Sequence, residues 1–315
     1  MRRRVLSGLF GVVLASCATV PASTCAPPVR GIACLRHASA AVSGRPRDPD
    51  ALSAPRVRAM LRDFTETLRR RYGVADERRL PATGRIVVPV RFHVVTDGRT
   101  GLLPRPVIDQ QLRSLNAAYG GTTGGADTGV SFRLTAADVV TNPQWFERPH
   151  DYQPQMLGAL ARGGPGTLNL FTAAVGSEVL GFSSFPQWYR LRPGMDGVVV
   201  DYRSVPGGPF EHFNRGYTAV HEIGHWLGLF HPFENGCRPP GDGVDDTPYE
   251  ALPTQGCPSV KDTCPSPGTD PVRNFMDYAW DNCMTSFTPG QGVRIRAMWA
   301  AYRAGQSGRV DRRAA

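Results

Sequence analysis

Residues 86–95 alternate with period two. Ile86, Val88, Val90, Phe92 and Val94 fall on one face, so the stretch is expected to be the half-buried strand that opens a sheet. His93 falls on the opposite face and is expected to be structural. A period near 3.6 runs through 55–72, where Val57, Met60, Leu61, Phe64 and Leu68 recur between arginines. That pattern predicts an amphipathic helix, stopped at Gly73. The helical period returns at 106–119, with Ile108, Leu112, Leu115 and Tyr119 on one side. Short apolar runs at 130–134, 168–173 and 198–200 read as further strands, and the Gly/Thr stretch 120–129 as loop. Between 174 and 190, apolar pieces such as Leu180-Gly181-Phe182 are broken by Gly and Pro, as suits a sheet edge or cleft rim. An edge strand there would offer unpaired N–H and C=O groups to an extended peptide. Thr288, Pro289 and Gln291 predict a capping box opening the last helix, whose Val293, Met298, Trp299 and Tyr302 can cover the domain.

One helical stretch carries chemistry. His221 and His225 are four apart, so a helix puts both imidazoles on one face. Thr218 is expected to cap this helix. Gly228 can take the positive φ that ends it, which brings His231 round as a third ligand. Three neutral imidazoles leave one position of a tetrahedral zinc open for water, the catalytic rather than the structural arrangement. Glu222, between the first two histidines, is placed to take a proton from that water.

Composition changes the picture in three ways. The chain of 315 residues suffices for one large domain or two moderate ones, and its 35 Gly and 28 Pro predict much loop. The net charge of +9 belongs to the first part of the chain. Residues 1–85 hold 16 Arg/Lys against 6 Asp/Glu, whereas 86–315 hold 20 against 21, so no nucleic-acid groove is expected around the zinc. Arg2, Arg3 and Arg4 precede an apolar run at 5–15, too short to span a membrane and suited to export. It ends Leu14-Ala15-Ser16-Cys17, similar to a bacterial lipobox, whose cysteine is acylated and anchors the protein to a membrane; ordinary signal cleavage after Ala22 is the alternative.

Lipidating Cys17 leaves six of the seven cysteines, consistent with an oxidising compartment. Cys237, Cys257, Cys264 and Cys283 follow the zinc helix. Cys25 and Cys34 precede the domain; they can pair, or Cys34 can ligate zinc in a latent precursor. The loop 241–248 gathers Asp242, Asp245 and Asp246, an oxygen-rich set that suits calcium but lacks EF-hand spacing; an acidic turn is the plainer reading.

The motif His221-Glu222-x-x-His225-x-x-Gly228-x-x-His231, followed by Asn274-Phe275-Met276-Asp277-Tyr278, resembles the metzincin metallopeptidases. Phe92-His93-Val94-Val95, Asn142-Pro143-Gln144-Trp145-Phe146 and Trp226-Leu227-Gly228-Leu229-Phe230-His231 narrow the likeness to the pappalysin family, in particular its short, ulilysin-like bacterial and archaeal members. The resemblance covers about 86–303. It implies an α+β zincin fold: a twisted five-stranded sheet, a zinc-binding helix, an irregular lower subdomain braced by disulfides, and a C-terminal helix. It implies pairs Cys237–Cys264 and Cys257–Cys283, Met276 as the methionine beneath the zinc, and Tyr278 as a hydrogen-bond partner of the tetrahedral intermediate. It also implies Asp242, Asp245 and Thr247 as structural calcium ligands, and Asp281 as the acidic residue of the pocket that receives Arg or Lys at P1′.

The expected organisation is a signal peptide (1–16), a linker and pro-segment (17–85) released within the Arg-rich 69–85, a catalytic domain (86–304) and a flexible tail (305–315). The expected activity is that of an extracellular or cell-surface zinc endopeptidase acting on polypeptides, with one catalytic zinc. Two rival readings are a zinc-stabilised binding protein without turnover and a hydrolase of cell-wall peptides.

Overall fold

The computed structural model describes residues 52–81, 84–265 and 268–305. Cys17, Cys25 and Cys34, with the readings attached to them, lie outside the described residues.

Helix α1 (Ala54–Tyr72) comes first and ends at Gly73 in the left-handed conformation, as its period and stop signal predict. Strand β1 (Ile86–Thr96) buries Ile86, Val88, Val90, Phe92 and Val94 on one face. There they meet α2 (Arg105–Tyr119) through Ile108, Leu112 and Leu115. His93 is buried on the other face. Its Nδ1 lies 2.9 Å from Asp138 Oδ1 and its Nε2 3.2 Å from Asn169 Oδ1, a structural role.

Strand β2 (Val130–Thr141) is longer than its apolar run of 130–134 suggests. Beyond Leu134 it is an outer strand whose inward, half-buried positions include Ala136 and Asp138, which carry little apolar signal. A register shift between Val90 and Arg91 also breaks its alternation against β1. Short helices α3 (Pro143–Glu147) and α4 (Gln153–Leu160) follow. They supply Phe146, Met156 and Leu157 to the sheet's second face, where they pack against Phe171, Phe182 and Val199.

Strands β3 (Leu168–Ala173), β4 (Gly181–Ser183) and β5 (Val198–Asp201) complete the sheet, in the order β2-β1-β3-β5-β4. Only β4 runs antiparallel to its neighbour. The broken apolar stretch is therefore the sheet edge that its composition suggests. Helix α5 (Tyr217–Trp226) is wholly buried. Its N-cap is Gly216, not Thr218, and no side chain caps it. Instead Gln111 of α2 donates to the Gly216 carbonyl (2.9 Å), which frees Thr218 to face the cleft.

After α5 the chain has little regular structure until α6 (Pro289–Met298), which continues as a π-turn over Trp299–Arg303. Cys237–Cys264 and Cys257–Cys283 brace this part, with Cα separations of 5.4 and 5.7 Å. The capping box at Thr288 and Gln291 forms as predicted. The Gln291 side-chain amide also exchanges hydrogen bonds with Asn274, whose Oδ1 accepts in addition from Met276 N. The last helix is thereby tied to the turn beneath the histidines.

Helix α1 packs on this frame. Val57 and Met60 meet Phe185 and Phe230, and Phe64 and Leu68 meet Ala297, Met298 and Ala301. Four buried apolar side chains at about 1.5–3 kcal/mol each outweigh any single surface ion pair. Helix α1 thus covers Phe185 and Phe230, and Phe185 packs against His225 at 5.3 Å between ring centroids.

Candidate metal centre and cleft

The ends of α5 bring the histidines together. His221 and His225 project from one face, and Gly228 takes φ +95°, a conformation in which a side chain would be strained. The chain then doubles back and delivers His231. The three Nε2 atoms lie 3.1, 3.1 and 3.2 Å from one another. A zinc about 2.0–2.1 Å from each nitrogen in tetrahedral geometry sets them about 3.3–3.4 Å apart, so the triangle fits that ion closely.

The far sides of the rings decide the protonation. His221 Nδ1 lies 2.7 Å from the Phe275 carbonyl, His225 Nδ1 2.8 Å from the Leu229 carbonyl, and His231 Nδ1 3.0 Å from Glu234 Oε1. All three partners accept, so each Nδ1 carries the proton and donates it. Three Nε2 lone pairs then converge on one point, which is costly unless a cation sits there. Burial keeps the rings neutral: it pushes His221 down to about 3, with help from His225, and holds His225 and His231 well below the usual value. Among the described residues, this is the one group that brings three such ligand atoms within reach of a metal.

Met276 lies beneath. It is fully buried, and its sulfur packs so close to Gly224 that a Cβ there would come within 2.3 Å of Sδ. The glycine within the motif therefore makes room for the methionine. Tyr278 OH stands 3.2 Å from His231 Nε2, at the rim of the nitrogen triangle.

Gly181 of β4, Thr218, His221, Glu222, Tyr278 and Asp281 share the lining of one cavity of ≈460 Å³, its open mouth included. Asp281 is 1% exposed. Its Oδ2 accepts from Arg215 N at 2.7 Å and the Tyr217 N–H also points toward the carboxylate, while Oδ1 is buried without a well-formed hydrogen bond among the described residues. Burial pushes this carboxyl up to about 7. An unsatisfied carboxylate oxygen facing a cleft is costly until a donor enters.

The acidic loop is divided. Asp242 and Thr247 are buried; the Asp242 carboxylate accepts from Val244 N at 2.9 Å and faces the Thr247 hydroxyl. Asp245 is exposed and pairs with Arg78 at 3.2 Å, so it does not join them.

Sequence patterns did not single out Glu234, although a carboxylate three residues after a ligand histidine is a local signal. Among the acceptors behind the triangle it alone is a carboxylate; the other two rings donate to backbone carbonyls. A carboxylate there raises the basicity of the ligand and fixes its orientation. Glu234→Gln is expected to weaken zinc binding about 10–100-fold, as read by competition with a fluorescent chelator. Unchanged affinity would show that the charge of Glu234 is immaterial.

Comparisons with known proteins agree with this geometry. Residues 209–300 match the Peptidase_M43 family model, described as pregnancy-associated plasma protein-A. An extracellular metalloprotease of Arthroderma benhamiae is 38% identical over 233 residues, which cover 71% of this chain and 76% of that protein. An extracellular metalloprotease of Pyricularia oryzae is 40% identical over 227 residues, covering 70% and 77%. Among solved structures, Tannerella forsythia mature mirolysin in complex with a cleaved peptide shares 25% identity, with a TM-score of 0.59 over 71% of this chain and 97% of its own.

Proposed function

Because the chain belongs to the M43, pappalysin-type family of zinc metallopeptidases, we propose that it is an exported endopeptidase that cleaves extended polypeptides before Arg or Lys. It is a zinc-dependent metalloendopeptidase; the finer points are its residue roles and its primed-side preference. The observation that carries them is the shared cavity, which sets Glu222 beside the nitrogen triangle and Asp281 within the same lining.

His221, His225 and His231 would hold the zinc, which would supply a Lewis acid at this end of the cleft. Glu222, in the lining of the same cavity, would accept a proton from the attacking water and pass it to the leaving nitrogen. Tyr278 donates its hydroxyl proton in a hydrogen bond to the developing oxyanion. An extended substrate pairs along β4, the sheet edge, which aligns its scissile carbonyl with Glu222. An entering Arg or Lys satisfies Asp281 Oδ1; with arginine the pair can be bidentate.

Extracellular action is supported by the two fungal relatives, both described as extracellular metalloproteases. Attachment through lipidated Cys17 and latency through Cys34 rest on the sequence alone. A structural calcium on Asp242, Asp245 and Thr247 rests on the sequence resemblance alone, and Asp245 is exposed and paired with Arg78.

The test is cleavage profiling on proteome-derived peptides. Wild type should show Arg and Lys enriched at P1′, and Asp281→Ala should lose that enrichment with the zinc retained. The preference should strengthen as pH rises from about 6 to about 8, because a carboxyl raised to about 7 gains its charge across that window. A P1′ profile identical in both proteins would reject the role of Asp281.

A further inference from the structure

Behind Tyr278, in the irregular lower part of the domain, one lysine is enclosed by oxygens. Lys261 Nζ donates to Glu250 Oε1 and to the Leu252 carbonyl. It also contacts Thr254 Oγ1 at 3.3 Å and Asp270 Oδ2 at 3.2 Å. The carboxylates are fully buried and the lysine side chain is 17% exposed. Two carboxylates, a carbonyl and a hydroxyl are the ligand set a hard metal cation takes; here an ammonium occupies it.

The cage reaches the active site in two steps. Thr254 Oγ1 donates to Glu250 Oε1 at 3.2 Å, and Thr254 N donates to Asp277 Oδ1 at 2.9 Å. The same Asp277 oxygen accepts from Tyr278 N at 2.8 Å. Asp277 and Tyr278 both line the cleft cavity. Burial raises the Glu250 carboxyl to about 8, with help from Asp277, and raises Asp277 as well, so the Lys261 ammonium is the counter-charge that offsets the cost of ionising carboxylates here. Removing that ammonium takes away the donor shared by Glu250, the Leu252 carbonyl, Thr254 and Asp270, so the carboxyls take up a proton or separate and the hydrogen bonds at Thr254 and Asp277 rearrange.

We propose that Lys261 is a positioning residue for peptide hydrolysis: its ammonium closes the oxygen cage and, through Thr254 and Asp277, sets the place of Tyr278 beside the nitrogen triangle. The proposal rests on the reading of Tyr278 as the oxyanion donor. A residue that displaces a catalytic group by about 1 Å can change turnover about 100-fold. Substrate binding through β4 and Asp281 does not pass through the cage, so KM should stay nearly constant.

A double-mutant cycle tests this, with zinc content measured in every variant. Lys261→Met should lower kcat about 10–100-fold, with KM within about threefold and one zinc per chain. Lys261→Arg keeps the charge and should retain more of kcat than the Met variant. In a Tyr278→Phe background, Lys261→Met should cost less than about threefold further, because the group it positions is gone. An equal loss in both backgrounds, or an unchanged kcat in Lys261→Met, overturns the proposal and leaves Tyr278 its role. An unchanged kcat in Tyr278→Phe itself overturns the reading of Tyr278, and this proposal with it. If Lys261→Met does not fold, Lys261→Arg carries the same cycle with a smaller loss, judged by the same criterion.

Discussion

Glu222→Gln is expected to keep its zinc and lose about 10²–10⁴-fold in kcat. The amide has nearly the size of the carboxylate, so the shape of the cavity is kept. It cannot take a proton from water near neutral pH. The metal should remain because Glu222 belongs neither to the nitrogen triangle nor to the acceptors behind it, which are Phe275, Leu229 and Glu234. Glu222 is 5% exposed, and burying a carboxylate at a zinc rim is costly unless the group acts there. Zinc content by atomic absorption, beside hydrolysis of a quenched peptide, checks both halves. Comparable turnover by the zinc-loaded variant would remove Glu222 from its role.

Arg303→Leu is expected to cost about 3–5 kcal/mol of stability, the scale for breaking one side of a buried ion pair. Arg303 is fully buried, and its two Nη atoms reach Asp196 at 3.1 Å each. Nε donates to the Trp226 carbonyl at 2.7 Å, and Nη1 also donates to the Pro165 carbonyl at 2.9 Å. The guanidinium carbon lies 3.5 Å from the centroid of the Trp226 ring. Trp226 is the last residue of α5, so Arg303 satisfies an orphan carbonyl where the zinc helix ends. In the variant Asp196 keeps Ser184 and the Trp226 indole as donors but loses its counter-charge. A domain of this size should melt about 6–20 °C lower, followed by circular dichroism. Adding Asp196→Asn should recover part of the loss, since no charge is then left buried alone. A melting point within about 2 °C of wild type would show that Asp196 is relieved in another way.

Local patterns were readable. The alternation of β1, the period of α1 with its Gly73 stop, and the Thr288–Gln291 box each depend on neighbours a few residues apart. So does the zinc motif, which is completed within one helix and one turn. Partners far apart in sequence were not readable. Arg303, at the end of the last helix, carries no local signal of burial, yet it meets Asp196 across 107 positions and is buried. Lys261 carries no local sequence signal, because Glu250 and Asp270 reach it from separate turns. Thr218 had the chemistry of a cap, but tertiary contact between Gln111 and Gly216 holds the helix start instead. The outer half of β2 hid its period behind Ala136 and Asp138. The disulfide pairing came from family resemblance, since four cysteines allow three connectivities.

The most direct measurement follows peptide cleavage as zinc is returned to metal-free protein. Activity should be absent at first, rise in proportion to added zinc and level off at one zinc per chain, the capacity of the single three-histidine group found among the described residues. Cleavage that persists without metal, or a chain that binds one zinc and cleaves no peptide, would contradict the account.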